Sequence, residues 1–289
     1  VIRRYAEARQ AVAAALKIRQ KAGIAFDHPI AIIDVALQLG LRVVFKRLSS
    51  MDGLWCKEKR TIVLTSLRPA GRQTFTCAHE IGHSYFEHGS RVDELLEYAI
   101  SNTFQPEEYL ANELAAHLLM PLYGVSQAMQ ARNWNPSTLT AVRVYSLASH
   151  FGVSYRALLN HLYYAFQMIE RRRFEELSRT SPKMIRSMFC PNVTAGHLVI
   201  VDELWLHRPV DLEVGDLMIS PQGTDIDTTL LERVPCQSTF GFAACARSTG
   251  IGHLFRRDGS QLLLRVLPKE FEGFAKYRFP DQNNVYISS

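Results

Sequence analysis

Two hydrophobic periods follow one another along this chain. Residues 2–22 repeat apolar positions at helical spacing and are rich in alanine, which predicts a first helix. A second helix is predicted at about 29–39, where Pro29 suits the first turn and Gly40 the end. LRVVFKRL reads as a strand. LWCKEKRTIVLTS reads as a hairpin: a strand near 53–56, a charged turn at Lys57–Arg60 and the β-branched strand 61–65. Helices are then predicted at about 72–87, 106–119 (stopped by Pro121), 137–150 and 154–165, with a long charged one near 167–178. Past Ser181-Pro182 the period shortens. Short β-type runs (HLVIV, LWLHR, DLMIS, FGFAACAR, QLLLRVL) alternate with Gly, Pro and Asp from residue 193 onward. The pattern predicts an α+β chain. Residues 1–130 would combine helices with a small β-sheet, 131–182 would be helical, and 190–289 would be a smaller domain, mostly β or α+β.

Composition narrows the class without naming a function. The chain has 289 residues, 47% hydrophobic and 21% charged, as in ordinary globular domains. No apolar run approaches the ~20 residues of a membrane span. The basic, periodic N-terminus lacks the unbroken apolar core of a secretory signal and is predicted as a folded helix. A net charge of +5, from 33 basic and 28 acidic residues, permits a nucleic-acid surface without arguing for one. The five cysteines, Cys56, Cys77, Cys190, Cys236 and Cys245, are odd in number and lack C-x-x-C spacing. That argues against a disulfide framework or a Cys-rich zinc module, and a cytoplasmic location is expected.

The chemistry sits in TFTCAHEIGHSYFEHG, residues 74–89. On a helix, His79 and His83 project from one face and can aim two imidazoles at one point. Zinc takes neutral imidazole nitrogens at ~2.0–2.1 Å. Glu80, about 100° around the helix from His79, can reach a water at the metal and take its proton without binding the ion. Chance would supply on the order of 0.02 such H-E-x-x-H matches in a chain of this composition, so an incidental pair of histidines is the weaker reading. Phe75, Ala78, Gly82 and Phe86 repeat as on a buried helix, and Gly82 is small where a neighbouring helix must come close.

A third ligand must come from another element, since His88 lies awkwardly close to the end of the same helix. The segment PEEYLANELAAHLLMP, residues 106–121, is the best source. There Leu110, Ala111, Leu114, Ala115, Leu118 and Leu119 form one apolar arc. Glu107 falls inside the arc, Glu108 at its edge, and Glu113 nearly opposite. Periodicity disfavours Glu113 and leaves Glu107 and Glu108 open. Asn112, Ala115 and Leu119 share the face of Glu108.

In this arrangement the sequence resembles the ImmA/IrrE-type metallopeptidases of the gluzincin group. The resemblance covers roughly residues 1–165. It rests on the strand 61–65, on Arg72, Gln73, Phe75 and Thr76, on Ala78-His79-Glu80-Ile81-Gly82-His83, on Glu108-Tyr-Leu-Ala-Asn112, and on Ala115 to Pro121. His117 departs from the many relatives that carry an acid there; it lies on the polar side and reads as a surface substitution. The resemblance implies a minimal zincin domain in residues 1–130. Its ion, Zn²⁺ with Mn²⁺ as the alternative, would be held by His79, His83 and Glu108, with Glu80 as the catalytic base and Asn112 supporting the ligands. It also implies a helix-turn-helix transcriptional repressor as substrate, cut or displaced to release stress-response or mobile-element genes. An extended substrate would then pair with the hairpin at Thr61, Val63 and Thr65, whose outer strand is expected at a sheet edge. Tyr85, Tyr98 and Tyr109 are open choices for an oxyanion partner.

SLASHFGVSYRALLNHL, residues 146–162, looks like a helix-turn-helix, with Ser154 as cap and Tyr155, Arg156 and Asn160 on the presented face. One arginine is few for phosphate contacts. DNA binding by this chain is therefore open but not favoured, and a structural helix pair is the plainer reading. His197, His207 and His253 are scattered. The last hundred residues are expected to form a sensory or regulatory domain by analogy with relatives that append one. The rival functions are a DNA-binding regulator and a non-catalytic antirepressor built on a protease fold.

Overall fold

A computed structural model describes residues 2–89, 91–93, 105–193, 196–237 and 241–279, without the side chains of residues 2–5 and 91–93. The chain is α+β, as its two periods predict, and divides into two compact units.

The first unit comprises residues 1–126 together with 272–276. Its helices are α1 (Ile2–Lys21), α2 (Ile32–Gln38), α3 (Ala70–Tyr85) and α4 (Pro106–Leu119). Its strands are β1 (Arg42–Lys46), β2 (Gly53–Cys56), β3 (Thr61–Thr65), β4 (Arg91–Asp93) and, from far along the chain, β13 (Gly273–Phe274). The sheet order is β13-β1-β3-β2-β4. Strand β3 runs parallel to β1 and antiparallel to β2, with Trp55 opposite Ile62. Helix α3 packs against β2, β3 and α4. Gly82 makes the α3–α4 crossing close: a Cβ there would stand 2.9 Å from Ala111 Cα. Glycine is small at this point as the sequence anticipates, and the facing residue is Ala111.

Two buried polar side chains hold this frame. Arg19, fully buried on α1, donates from Nε to the Leu118 carbonyl at 2.9 Å and from an Nη to the carbonyls of Ala25 and His28, each at 2.9 Å. It thereby satisfies one of the orphan carbonyls at the end of α4. Burial pulls its guanidinium down to about 10, so it stays charged at neutral pH. Asp52, just before β2, accepts from Arg68 Nε at 2.5 Å and Arg72 Nε at 2.6 Å, tying the hairpin to the start of α3.

The second unit holds residues 127–271 and 277–289. Residues 127–131 of helix α5 (Leu122–Ala131), a helix not among those the sequence pattern predicts, belong to it. It continues with α6 (Ala141–Phe151), α7 (Tyr155–Asn160), a turn of π-helix at His161–Ala165, α8 (Arg171–Ser178) and α9 (Pro182–Phe189). The charged helix expected from 167 begins only at Arg171, because Gln167 adopts a positive φ of 52°. Ser181-Pro182, read as a break, starts α9: the Ser181 side chain accepts from Met184 N, and proline takes the first helical position.

Two four-stranded sheets follow. Their orders are β5-β7-β10-β9 and β6-β12-β11-β8, with β5 Leu198–Ile200, β6 Val210–Glu213, β7 Leu217–Pro221, β8 Asp225–Ile226, β9 Leu231–Val234, β10 Gly241–Ala246, β11 Gly250–Phe255 and β12 Gln261–Leu267. Both sheets feed one apolar cluster, which includes Met218 and Ala244 from the first and Leu212, Leu254 and Leu264 from the second. Four of the five predicted runs contain strands. LWLHR does not: Trp205 is buried with its indole N–H donating to the Arg208 carbonyl at 2.9 Å, and His207 turns the chain with a φ of 65°.

Candidate metal centre

The site is assembled by the two helices that cross at Gly82. His79 and His83 lie one turn apart on α3, both with 0% exposure, and Glu108 lies in the first turn of α4. One donor atom from each falls within 4.8 Å of the others. The His79 and His83 Nε2 atoms are 3.0 Å apart, and Glu108 carboxylate oxygens stand 3.3 Å from the first and 3.6 Å from the second. Ligands about 2.0–2.1 Å from a tetrahedral ion are about 3.3 Å from one another, so these separations suit a single ion. Glu108 keeps 23% of its side chain exposed, which opens the site to solvent on that side.

Of the acids left open by periodicity, Glu108 stands at the histidines. Glu113 lies elsewhere, 3.5 Å from His117 one turn on, which places His117 away from the centre.

Each imidazole is oriented from behind. His79 Nδ1 lies 3.0 Å from Asn112 Oδ1, and Asn112 Nδ2 donates to the Glu108 carbonyl at 2.8 Å. Asn112 thus joins two members of the set. His83 Nδ1 lies 2.8 Å from His88 Nδ1. With an ion bound at Nε2, each ring would carry its proton on Nδ1 and donate it, to Asn112 Oδ1 and His88 Nδ1 respectively. Along the sequence His88 stands only as a poor ligand near the helix end. The end of α3 decides its role. Glu87 takes a φ of 56°, the His88 amide bonds to the His83 carbonyl at 3.0 Å, and the ring folds back into a buried position. The signal in the sequence was a histidine five residues after His83, but a backbone turn was needed to interpret it.

Glu80 has 0% exposure. Gly53 of β2 presses on it: a Cβ at residue 53 would lie 2.6 Å from Glu80 Oε1 and 2.3 Å from Thr76 Cγ2. Glycine at the start of β2 therefore makes room for the carboxylate, a requirement invisible along the sequence.

Strand β3 corrects the expected docking edge. Thr61 and Val63 pair with β1 on one side and β2 on the other, Thr65 pairs with β1 and bonds through its amide to the Asp52 carbonyl at 3.1 Å, and β2 is itself paired with β4. β3 therefore lies inside the sheet, whose outer strands among the described residues are β4 and β13. Among the tyrosines, Tyr85 is exposed and set edge-on to Phe86, Tyr109 follows Glu108 on α4, and Tyr98 lies outside the described residues.

The helix pair α6–α7 keeps its caps. Gly152 takes the left-handed conformation with φ 68°, and Ser154 accepts from Ala157 N. Tyr155, expected on the presented face, is buried at 3% exposure and donates to the Leu177 carbonyl at 2.9 Å. It is a core residue, because α8 packs where the groove-facing side would be. Arg156 and Asn160 line an open concavity with Tyr164, Phe174 and Arg179.

Residues 36–163 match the Peptidase_M78 family, described as the IrrE N-terminal-like domain. This stretch is an ImmA/IrrE-type domain. The match includes all three donors of the centre, Glu80, Asn112 and the α6–α7 pair. No curated protein matches the chain. Among solved structures it is similar to a Mycobacterium tuberculosis transcriptional regulator at 14% identity and a TM-score of 0.37, over 54% of this chain and 46% of that one. The chain thus spans less than half of that protein's length. Within this peptidase-family domain the described residues bring together one group able to hold a metal ion. No helix among them is long and apolar enough to cross a membrane.

Proposed function

We propose that this chain is a zinc-dependent endopeptidase that cleaves a helix-turn-helix transcriptional repressor and so derepresses stress-response or mobile-element genes. The observation that carries the peptidase reading is the convergence of His79, His83 and Glu108 beside the buried carboxylate of Glu80. Two imidazoles and one carboxylate with a solvent-open side are the donor set of catalytic zinc, and Mn²⁺ is the alternative ion. A divalent ion held there acidifies water and polarises a carbonyl.

The chain's own groups do the rest. His79 and His83 present Nε2, with Asn112 Oδ1 and His88 Nδ1 accepting hydrogen bonds from their Nδ1–H groups. Glu80 accepts the proton of the attacking water and delivers it to the leaving amide nitrogen as the peptide bond breaks. Its burial among helix and strand shields the proton transfer from bulk water. The identity of the substrate follows the family resemblance, in which the partner is a repressor of this type.

The test combines metal analysis with cleavage. Protein purified without chelators and offered Zn²⁺ or Mn²⁺ should bind about one ion per chain. Incubation with a helix-turn-helix repressor encoded beside it should yield fragments, and a chelator should prevent them. Glu80→Gln should keep the ion and lose the cut. Absence of bound metal overturns the enzymatic reading; relief of repression by Glu80→Gln with no cut partner would point to an antirepressor.

A further inference from the structure

Cys190 and Cys236 are 46 positions apart in the sequence and side by side in the second unit. Cys190 follows the last residue of α9, and Cys236 follows β9 by one residue. The backbones of their neighbours are joined, since Gln237 N donates to the Phe189 carbonyl at 2.8 Å. Across this junction Cys236 is near enough to strengthen the hold of the Cys190 thiol on its proton. Both are reduced, Cys190 buried at 1% exposure and Cys236 half-buried. Elsewhere Cys56 lies beside Glu58, and the buried Cys245 is directed at the Ala246 carbonyl.

We infer that Cys190 and Cys236 form a reversible disulfide when the chain meets a peroxide. Its course follows from their unequal exposure. Cys236, the accessible sulfur, attacks the peroxide as its thiolate. The O–O bond breaks, the sulfur is oxidised by two electrons to a sulfenic acid, and the departing hydroxide takes up a proton as water. Cys190 then loses its proton and displaces hydroxide from the Cys236 sulfur, which forms the S–S bond and releases a second water. Two thiols and one hydrogen peroxide yield one disulfide and two waters. Burial and the neighbouring thiol push Cys190 up to about 11, so it stays a thiol at neutral pH and serves as the resolving partner instead of the first nucleophile. The bond fastens the end of α9 to the segment after β9 and closes a loop of the second unit, so the oxidised chain should unfold at a higher temperature.

The experiment uses the full chain with hydrogen peroxide as the probe. After peroxide treatment and alkylation, peptide mapping should find the Cys190 peptide linked to the Cys236 peptide, and dithiothreitol should restore both thiols. Cys236→Ser should abolish the link and leave Cys190 reduced. Cys190→Ala should leave a trappable sulfenic acid on Cys236, and Cys56→Ser should change nothing. Thermal unfolding of each variant before oxidation checks that it is folded. Overoxidation of Cys236 to the sulfinic acid without a link in the wild-type chain, or links only between molecules, would overturn the inference.

Discussion

Replacing Gly53 by alanine tests the packing that shapes the centre, and needs no knowledge of the substrate. The new methyl would lie 2.3 Å from Thr76 Cγ2 and 2.6 Å from Glu80 Oε1. Carbon atoms rest at about 3.5–4.0 Å, so the strand and helix must part by about 1 Å or Thr76 and Glu80 must swing aside. Neither is easy. Residue 53 is paired on both sides, with Leu64 and with Asp93, and α3 is held against α4 at the Gly82–Ala111 crossing. Overpacking of this kind costs about 1–3 kcal/mol. Urea unfolding followed by circular dichroism should register that loss for Gly53→Ala. Gly89→Ala is the control: residue 89 is exposed and a Cβ there meets nothing within 4 Å. Metal content should fall less than cleavage, because the methyl meets Glu80 and not the three donors. A Gly53→Ala protein as stable as wild type, with cleavage intact, would refute the reasoning.

Further expectations follow from the same contacts. Asn112→Leu and His88→Phe each remove the acceptor behind one imidazole, and competition titration with a chelator should show metal affinity down about 10–100-fold. Arg19→Met removes the buried side-chain donor to the Leu118, Ala25 and His28 carbonyls, of which Ala25 keeps the His28 amide, and denaturant unfolding should show a loss of about 2 kcal/mol. His150, held down to about 3 mainly by burial and next by Arg132, is neutral in the folded protein while the unfolded chain binds a proton below about 6.5. Its contribution to stability is complete above that pH and falls by about 1.4 kcal/mol per unit as pH drops from about 6.5 toward 3. Unfolding of His150→Leu measured across that range should lose this share of the pH slope.

The fold was legible where one segment carries its own instructions. Helix α4 runs from Pro106 to just before its stop, and α6 and α7 are bounded by Gly152 and Ser154. These are signals of backbone geometry and of hydrogen bonds within one turn, so no distant partner is needed to interpret them. Segments with ambiguous punctuation were misread. Ser181-Pro182 is a cap and a first turn as readily as a break, and LWLHR has a strand's composition but buries one tryptophan in a turn.

The spacing of His79, Glu80 and His83 determined by itself that two imidazoles and a carboxylate would share a helix, because 3.6 residues per turn leave no other arrangement. It could not decide between Glu107 and Glu108, whose places on α4 differ by about 100° of rotation; the crossing at Gly82 and Ala111 did that. Nor could it place His88 behind His83, Tyr155 in the core, β3 between two partners, or Cys190 beside Cys236. Each of these depends on which element packs against which. Periodicity along one segment carries the direction of a side chain, but the identity of what it meets exists only once separate segments close on one another.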